Sequence, residues 1–321
     1  MKKPLVIAHR GACGYLPDHT LEAKALAFGM GADYLEQDIV ASRDGVLLVL
    51  HDVVLNHMSD VAEKFPGRAR DDGYYFVCDF DLAELRTLRV WERFRDTPAT
   101  PVFPGRFPAG KGSFRIVTLR EELEFIAGLN RSTGKSVGIY PEIKRPAFHH
   151  AQGIDLAVST LQMLAEFGYR DKGDPVYFQC FDPVELRRVR TELGSKLKLI
   201  QLIDENNPYD PGIDYTAMLT AEGLQNVASY ADGIGPWVNH LFQQADDGGS
   251  RKSTGIVQQA QANGLAVHPW TFRADSLAPG FSSFAEMVHW FIAVEHIDGL
   301  FTDFPDKALA VINLLTPSRA K

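Results

Sequence analysis

Short apolar runs alternate with helix-period segments along almost the whole chain, and this alternation limits the fold more than any single motif. Runs at Leu5–Ala8, Tyr34–Val40, Val137–Tyr140, Val176–Gln179, Leu197–Leu202, Gly233–Gly235, Leu265–Pro269 and Gly299–Thr302 read as strands. Between them lie helical patterns. Thr20 reads as the N-cap of the first, built on Leu21, Ala25 and Phe28 and stopped by Gly29 and Gly31. Others span Leu119–Asn130, Gly153–Phe167, Pro183–Leu193, Glu222–Ala231, Thr254–Asn263, Phe284–His296 and Phe304–Leu315. Strands separated by helices pair in parallel, and eight β/α units are the number that closes a TIM barrel. The expected fold is therefore α/β, a (β/α)8 TIM barrel forming one domain over residues 1–321.

The rhythm breaks once. After the second strand, Ser42–Gly45 reads as a tight turn that sends the chain back as Val46–Leu50, because Asp-Gly favours such turns. From Val53 to Arg115 the chain is then rich in Arg, Asp, Pro, Gly and aromatic residues. A stretch this long is unusual in a compact domain unless it folds on itself or has a function. It reads as a subdomain inserted over one barrel rim, with a short helix at Asp81–Leu88. Asp204–Asp214 reads as a further rim loop.

The totals narrow the class. With 45% hydrophobic and 23% charged residues the chain has ample material for a core. Its net charge of −8 argues against a nucleic-acid binder, which carries a basic face. Three cysteines, Cys13, Cys78 and Cys180, show no zinc spacing and read as buried free thiols. No apolar run is long enough to span a bilayer, so stable membrane insertion is not expected. Met1-Lys2-Lys3-Pro4 leads straight into a strand, so the sequence as written shows no signal peptide.

In a barrel, chemistry sits where strands end at the C-terminal face. Those ends carry His9-Arg10, Glu36 with Asp38, His51, Glu142 with Lys144, Gln179 with Phe181, Trp270 and Asp303. Residues two apart on a strand share a face, so Glu36 and Asp38 project together, as do Glu142 and Lys144. Three converging carboxylates repel unless a hard divalent ion, Mg²⁺ or Ca²⁺, sits among them; pairing with Arg10 or Lys144 is the simpler alternative. His9 and His51 suit general base and general acid, since imidazole titrates near working pH. Arg10 offers a forked donor set matched to phosphate, and Gly11 permits close backbone approach. Phe181 and Trp270 wall a substrate pocket or belong to the core. Asp303 either orients a rim partner or caps the helix after Phe304. His149-His150 reads as an exposed helix start, and the side to which His268 points is open. Together these are the parts of metal-assisted phosphoryl chemistry. No Walker loop, GxSxG or GxGxxG is present.

HRG at His9–Gly11, LEQD at Leu35–Asp38, HD at His51-Asp52 and PEIK at Pro141–Lys144 resemble the glycerophosphodiester phosphodiesterases over nearly the whole chain. With AHRGACGYLPDHT, YPEIKRPAFHH, ADGIGP and GLFTDFPDKA, the sequence is most similar to the long, periplasmic GlpQ-type branch. The resemblance implies hydrolysis of glycerophosphodiesters to glycerol 3-phosphate and an alcohol. It implies His9 and His51 as the acid/base pair, and Glu36, Asp38 and Glu142 as ligands of one metal ion, with Ca²⁺ usual in this branch. Arg10 and Lys144 would hold the phosphate. It further implies a homodimer, and a periplasmic location if a signal peptide has been trimmed; a chain native as written would be cytoplasmic. Two positions depart from the family pattern, Asn56-His57 after the HD motif and Asp18 where Glu is usual. Both are expected to lie off the core site.

Two other classes compete. A lipase of the sphingomyelinase D or phosphoinositide type would need an apolar membrane-facing rim, which the aromatic residues of the insertion could supply. A non-catalytic phosphodiester-binding barrel would need no acid/base pair.

Overall fold

The computed structural model describes residues 3–207, 212–244 and 251–315. Twelve strands are present among the described residues: β1 (Leu5–Ala8), β2 (Tyr34–Ala41), β3 (Leu47–Val49), β4 (Val117–Thr118), β5 (Gly138–Ile143), β6 (Tyr177–Cys180), β7 (Lys198–Ile203), β8 (Gly233–Pro236), β9 (Phe242–Gln244), β10 (Arg251–Ser253), β11 (Ala266–Val267) and β12 (Gly299–Thr302). Eight of them run parallel in the order β11-β8-β7-β6-β5-β2-β1-β12. Backbone bonds from Asp298 N to Val267 O (3.0 Å) and Phe301 N to Pro269 O (3.0 Å) join the two ends. The result is the expected closed barrel with helices outside.

Local chemistry sets most element ends. The Thr20 side chain accepts from Ala23 N, and Gly31 ends that helix in the left-handed region at φ 95°. Thr118 and Glu121 form a reciprocal capping box, and the helix Leu119–Thr133 runs past Asn130 until Gly134 takes φ 69°. Asp155 accepts from Val158 N to cap Leu156–Glu166, and Asp182 accepts from Val184 N and Glu185 N to cap Pro183–Thr191. The strand expected at Leu265–Pro269 keeps only two ladder residues, and a hairpin, β9 with β10, was not foreseen.

Inside the barrel Ile7, Tyr140, Ile200 and Phe301 form a buried plug with Tyr34, Tyr177 and Trp270 against it. Each large side chain withdrawn from water here is worth roughly 1.5–3 kcal/mol. His268 points into this interior, with Tyr140 Oη 2.8 Å from its Nδ1. Beneath the barrel wall Lys24 Nζ lies 2.6 Å from Glu122 Oε1, both fully buried, and Gln37 Nε2 donates to the same oxygen at 2.8 Å.

The segment from Val53 to Arg115 packs its own apolar cluster, including Leu55, Val77, Phe80, Leu85 and Leu88, against Val40, Leu48 and Leu50. The helix expected at Asp81–Leu88 is shorter, Leu82–Leu85, with Glu84 accepting from Asp81 N. A second short helix, Val61–Lys64, precedes it. The Asp204–Asp214 loop lies partly outside the described residues; Asp214 caps a helical turn at Tyr215–Met218.

Candidate active site

β1 ends in a tight turn that shapes the first part of the site. Gly11 N bonds Ala8 O at 3.1 Å, and a Cβ on Gly11 would stand 2.9 Å from Ala23 C. Glycine alone fits at its φ of 94°. Arg10, itself left-handed at φ 57°, thereby aims its backbone N at Glu36 Oε2, 2.6 Å away. Its Nη1 bonds Asp18 Oδ2 at 2.7 Å. Asp18 is thus buried on the Arg10 guanidinium, not off the core site as its departure from the family pattern suggested. The other departure holds to expectation, since Asn56 and His57 bond Gly73 O and Arg95 O within the insertion.

His51 arrives by a different route from the other rim residues. β2 continues three residues beyond Asp38, turns through Ser42–Gly45 with Gly45 at φ 77°, and returns as antiparallel β3. Leu50 N then bonds Asp38 O at 2.9 Å, which sets His51 level with Asp38. The returning arm of the hairpin expected at Ser42–Gly45 delivers it.

The expected residues converge. His9, Arg10, Glu36, Asp38, His51, Glu142, Lys144, Phe181 and Trp270 line one pocket of about 410 Å³, together with Gln179, Leu202, Thr271, Arg273 and Phe301. Glu36, Asp38 and Glu142 are buried and offer oxygens within 4.8 Å of one another. Lys144 Nζ lies 2.8 Å from Glu142 and 3.7 Å from Asp38. The Phe181 and Trp270 rings meet edge to face at 5.7 Å between centroids.

Each imidazole has a carboxylate behind it. His9 Nδ1 lies 2.6 Å from Asp303 Oδ1, and His51 Nδ1 lies 2.6 Å from Asp52 Oδ1. Asp303 is fully buried and also accepts from Arg106 (2.6 Å) and Arg273 (2.8 Å), so it orients a partner. Burial would raise its carboxyl, but Arg273, His9 and Arg106 hold it well below the usual range. Burial, then Arg10, lowers His9 to about 4; burial, then Arg10 and Lys144, lowers His51 to about 3. Both rings are neutral at neutral pH, with the proton on Nδ1 facing an ionised carboxylate and Nε2 left over.

The carboxylates titrate apart. Burial, then Asp38, raises Glu36 well above its ordinary value. Burial pushes Glu142 up to about 8 against Lys144, with Asp38 adding to the rise. Asp38 stays ionised despite burial, held by Lys144 and His19, whose Nε2 lies 2.7 Å from Asp38 Oδ2. Its Oδ1 is buried without a hydrogen-bond partner. A buried anionic oxygen with no hydrogen bond and only Lys144 at 3.7 Å, beside two carboxyls that resist ionisation, is the donor set a hard divalent cation would satisfy.

Sequence reasoning missed His19, Asp18, Arg93, Arg106 and Arg273, and gave Asp52 only a place in the HD motif. The remaining candidate histidines, His149 and His150, lie apart from this site. His149 is buried, not exposed, with its ring against Arg145 O and Ala41 N. His150, Asp155 and Glu185 are drawn together by Arg188, which bonds both carboxylates. All three cysteines are free and buried.

The family model for the glycerophosphoryl diester phosphodiesterases matches residues 9–307, from the first rim histidine to the last helix. This chain belongs to that family. A glycerophosphodiester phosphodiesterase from Haemophilus influenzae is 45% identical over 319 residues, covering 94% of this chain and 88% of that protein. One from Treponema pallidum is 40% identical over 332 residues, covering 98% and 93%. Among solved structures, an Oleispira antarctica phosphodiesterase in complex with the product sn-glycerol-3-phosphate shares the fold, with a TM-score of 0.66 at 18% identity over 97% of each chain. The family is one of phosphodiester hydrolases, and this chain is an enzyme of that kind.

Proposed function

We infer that the chain hydrolyses glycerophosphodiesters, such as glycerophosphocholine and glycerophosphoethanolamine, to glycerol 3-phosphate and an alcohol. One observation carries this reading: two imidazoles, each engaged at Nδ1 by a carboxylate, face one pocket with three carboxylates, Arg10 and Lys144. The product in the Oleispira antarctica structure, sn-glycerol-3-phosphate, belongs to the same reaction.

Glu36, Asp38 and Glu142 would hold one hard divalent cation, Ca²⁺ in preference to Mg²⁺. Such an ion supplies Lewis-acid charge at the phosphate oxygens when bound. Arg10 and Lys144 hold the anionic diester and offset the charge that builds on it in the transition state. Phe181 and Trp270 wall the pocket beside them.

His9 and His51 divide the proton transfers. One Nε2 takes the proton of the nucleophile, and the other gives a proton to the departing alkoxide oxygen. The diester's negative charge against Arg10 and Lys144 offsets cations that, after burial, hold His51 down, so substrate binding favours the protonated ring. Water or the substrate's own glycerol hydroxyl serves as nucleophile; the second route passes through a cyclic phosphate. Both end at the same glycerol 3-phosphate.

Phosphorus NMR of glycerophosphocholine incubated with the protein and Ca²⁺ tests this directly. The diester resonance is expected to give way to that of glycerol 3-phosphate. Phosphocholine and glycerol as products would place the cleavage on the other side of phosphorus and overturn the assignment.

A further inference from the structure

The insertion does more than cover the rim, because it sends one arginine to each imidazole–carboxylate pair. Arg106 is almost fully buried. Its Nη2 bonds Asp303 Oδ2 at 2.6 Å, opposite the oxygen that meets His9. The same guanidinium is fixed from three other sides: Asp275 grips Nε and Nη2 at 2.8 and 3.1 Å, Cys13 O accepts from Nη1 at 3.3 Å, and the Phe103 ring lies 3.7 Å below it. Arg93 repeats the arrangement on the second pair. Its Nη2 bonds Asp52 Oδ2, again opposite the oxygen that meets the imidazole, and its Nη1 lies 3.1 Å from His51 Nδ1 and 3.7 Å from Asp18 Oδ2.

His51 Nδ1 cannot donate to Asp52 and accept from Arg93 at once. The 2.6 Å approach of the ionised Asp52 takes the Nδ1 proton, so Arg93 acts on the ring through the carboxylate it grips. A carboxylate held on one oxygen by a fixed guanidinium keeps its other oxygen turned toward the imidazole. That direction sets the ring's rotation and tautomer, and therefore where Nε2 points.

We propose that Arg93 and Arg106 of the insertion are positioning residues, which lock Asp52 and Asp303 and so aim the Nε2 atoms of His51 and His9 at the scissile bond. The barrel supplies the two histidines, their carboxylates and Arg273, which shares Asp303 Oδ2 at 2.8 Å, and the insertion supplies Arg93 and Arg106, which fix the two carboxylates further. This rests on the two-histidine reading above.

The test compares Arg93→Met, Arg93→Lys and Arg106→Met with His9→Ala and His51→Ala, measuring kcat and KM for glycerophosphocholine in saturating Ca²⁺. Loss of aim predicts a fall in kcat of about 10²-fold with KM within about twofold, since misplacing a reacting group by an ångström costs that much. Arg93→Lys, which keeps the charge and loses the fork, is expected to recover only part of the loss. Arg93 is about one-fifth exposed, so its variants keep the test available should Arg106→Met fold poorly. Inactive histidine variants alongside arginine variants of wild-type kcat would overturn this proposal and leave the two-histidine reading standing. Active histidine variants would overturn that reading first. A loss confined to KM would make the arginines substrate ligands and also overturn the proposal.

Discussion

His19 Nε2 meets Asp38 Oδ2 at 2.7 Å, and both side chains are buried. His19 stands at φ 59° in the turn after β1, with its backbone N bonded to Arg10 O at 3.0 Å, so the Arg10 turn and the carboxylate cluster are fixed by the same few residues. The bond to Oδ2 leaves Asp38 Oδ1 as the oxygen that faces Lys144, at 3.7 Å.

Replacing His19 is therefore expected to weaken divalent-cation binding without touching a ligand. Residues that orient metal ligands are typically worth 10–100-fold in affinity. Calorimetric titration of His19→Asn with Ca²⁺ reads this directly. An affinity equal to the wild type would mean that Asp38 keeps its aim unaided.

Glu142→Gln separates binding from folding. In the absence of metal Glu142 is a buried carboxyl that resists ionisation, so its neutral amide isostere spares the site the cost of burying that charge. Thermal unfolding in EDTA should show the variant at least as stable as the wild type, while its Ca²⁺ titration weakens strongly. A variant that unfolds earlier yet binds Ca²⁺ normally would remove Glu142 from the ligand set.

Lys24 and Glu122 form an ion pair with no exposure to solvent. Lys24→Met leaves Glu122 charged and buried, and breaking such a pair costs roughly 3–5 kcal/mol. Adding Glu122→Leu is expected to restore most of that loss. Denaturant unfolding of both variants checks it, and a double variant no more stable than the single one would contradict the account.

Acid sensitivity has a defined sign. Burial, then Arg10, lowers His9 to about 4, below the 6.5 of an unfolded chain. Between those values the unfolded chain binds a proton that the folded one refuses, so stability falls as pH drops through that window. His9 alone contributes about 2 kcal/mol of loss between about pH 7 and about pH 5. In urea unfolding with EDTA, His9→Asn should lose about that much less than the wild type over the same interval. An equal loss would show that His9 is not held neutral.

The sequence carried the parts that depend on near neighbours. Thr20 announces a helix start because it caps through a backbone N three residues on, and the eight apolar runs mark the barrel staves because each buries most of its length. The pairings Glu36 with Asp38 and Glu142 with Lys144 follow from strand alternation. What stayed hidden depends on distance in the chain. Arg106 reaches Asp303 across 197 positions, and no local pattern marks it among the other arginines of the insertion. Asp18 and His19 join the site because the turn at Arg10 and Gly11 doubles the chain back, which strand periodicity cannot show. The hairpin that carries His51 back was legible in the Asp-Gly turn, but the Leu50 N to Asp38 O bond that sets His51 level with Asp38 was not.

The most direct test of the whole account is the rate of glycerol 3-phosphate release from glycerophosphocholine, followed through a coupled dehydrogenase, in EDTA and after Ca²⁺ or Mg²⁺ is restored. The account predicts that turnover is lost in EDTA and returns with Ca²⁺. Full turnover in EDTA would contradict a metal held by Glu36, Asp38 and Glu142. No turnover with either ion, on a folded protein, would contradict the proposed reaction itself.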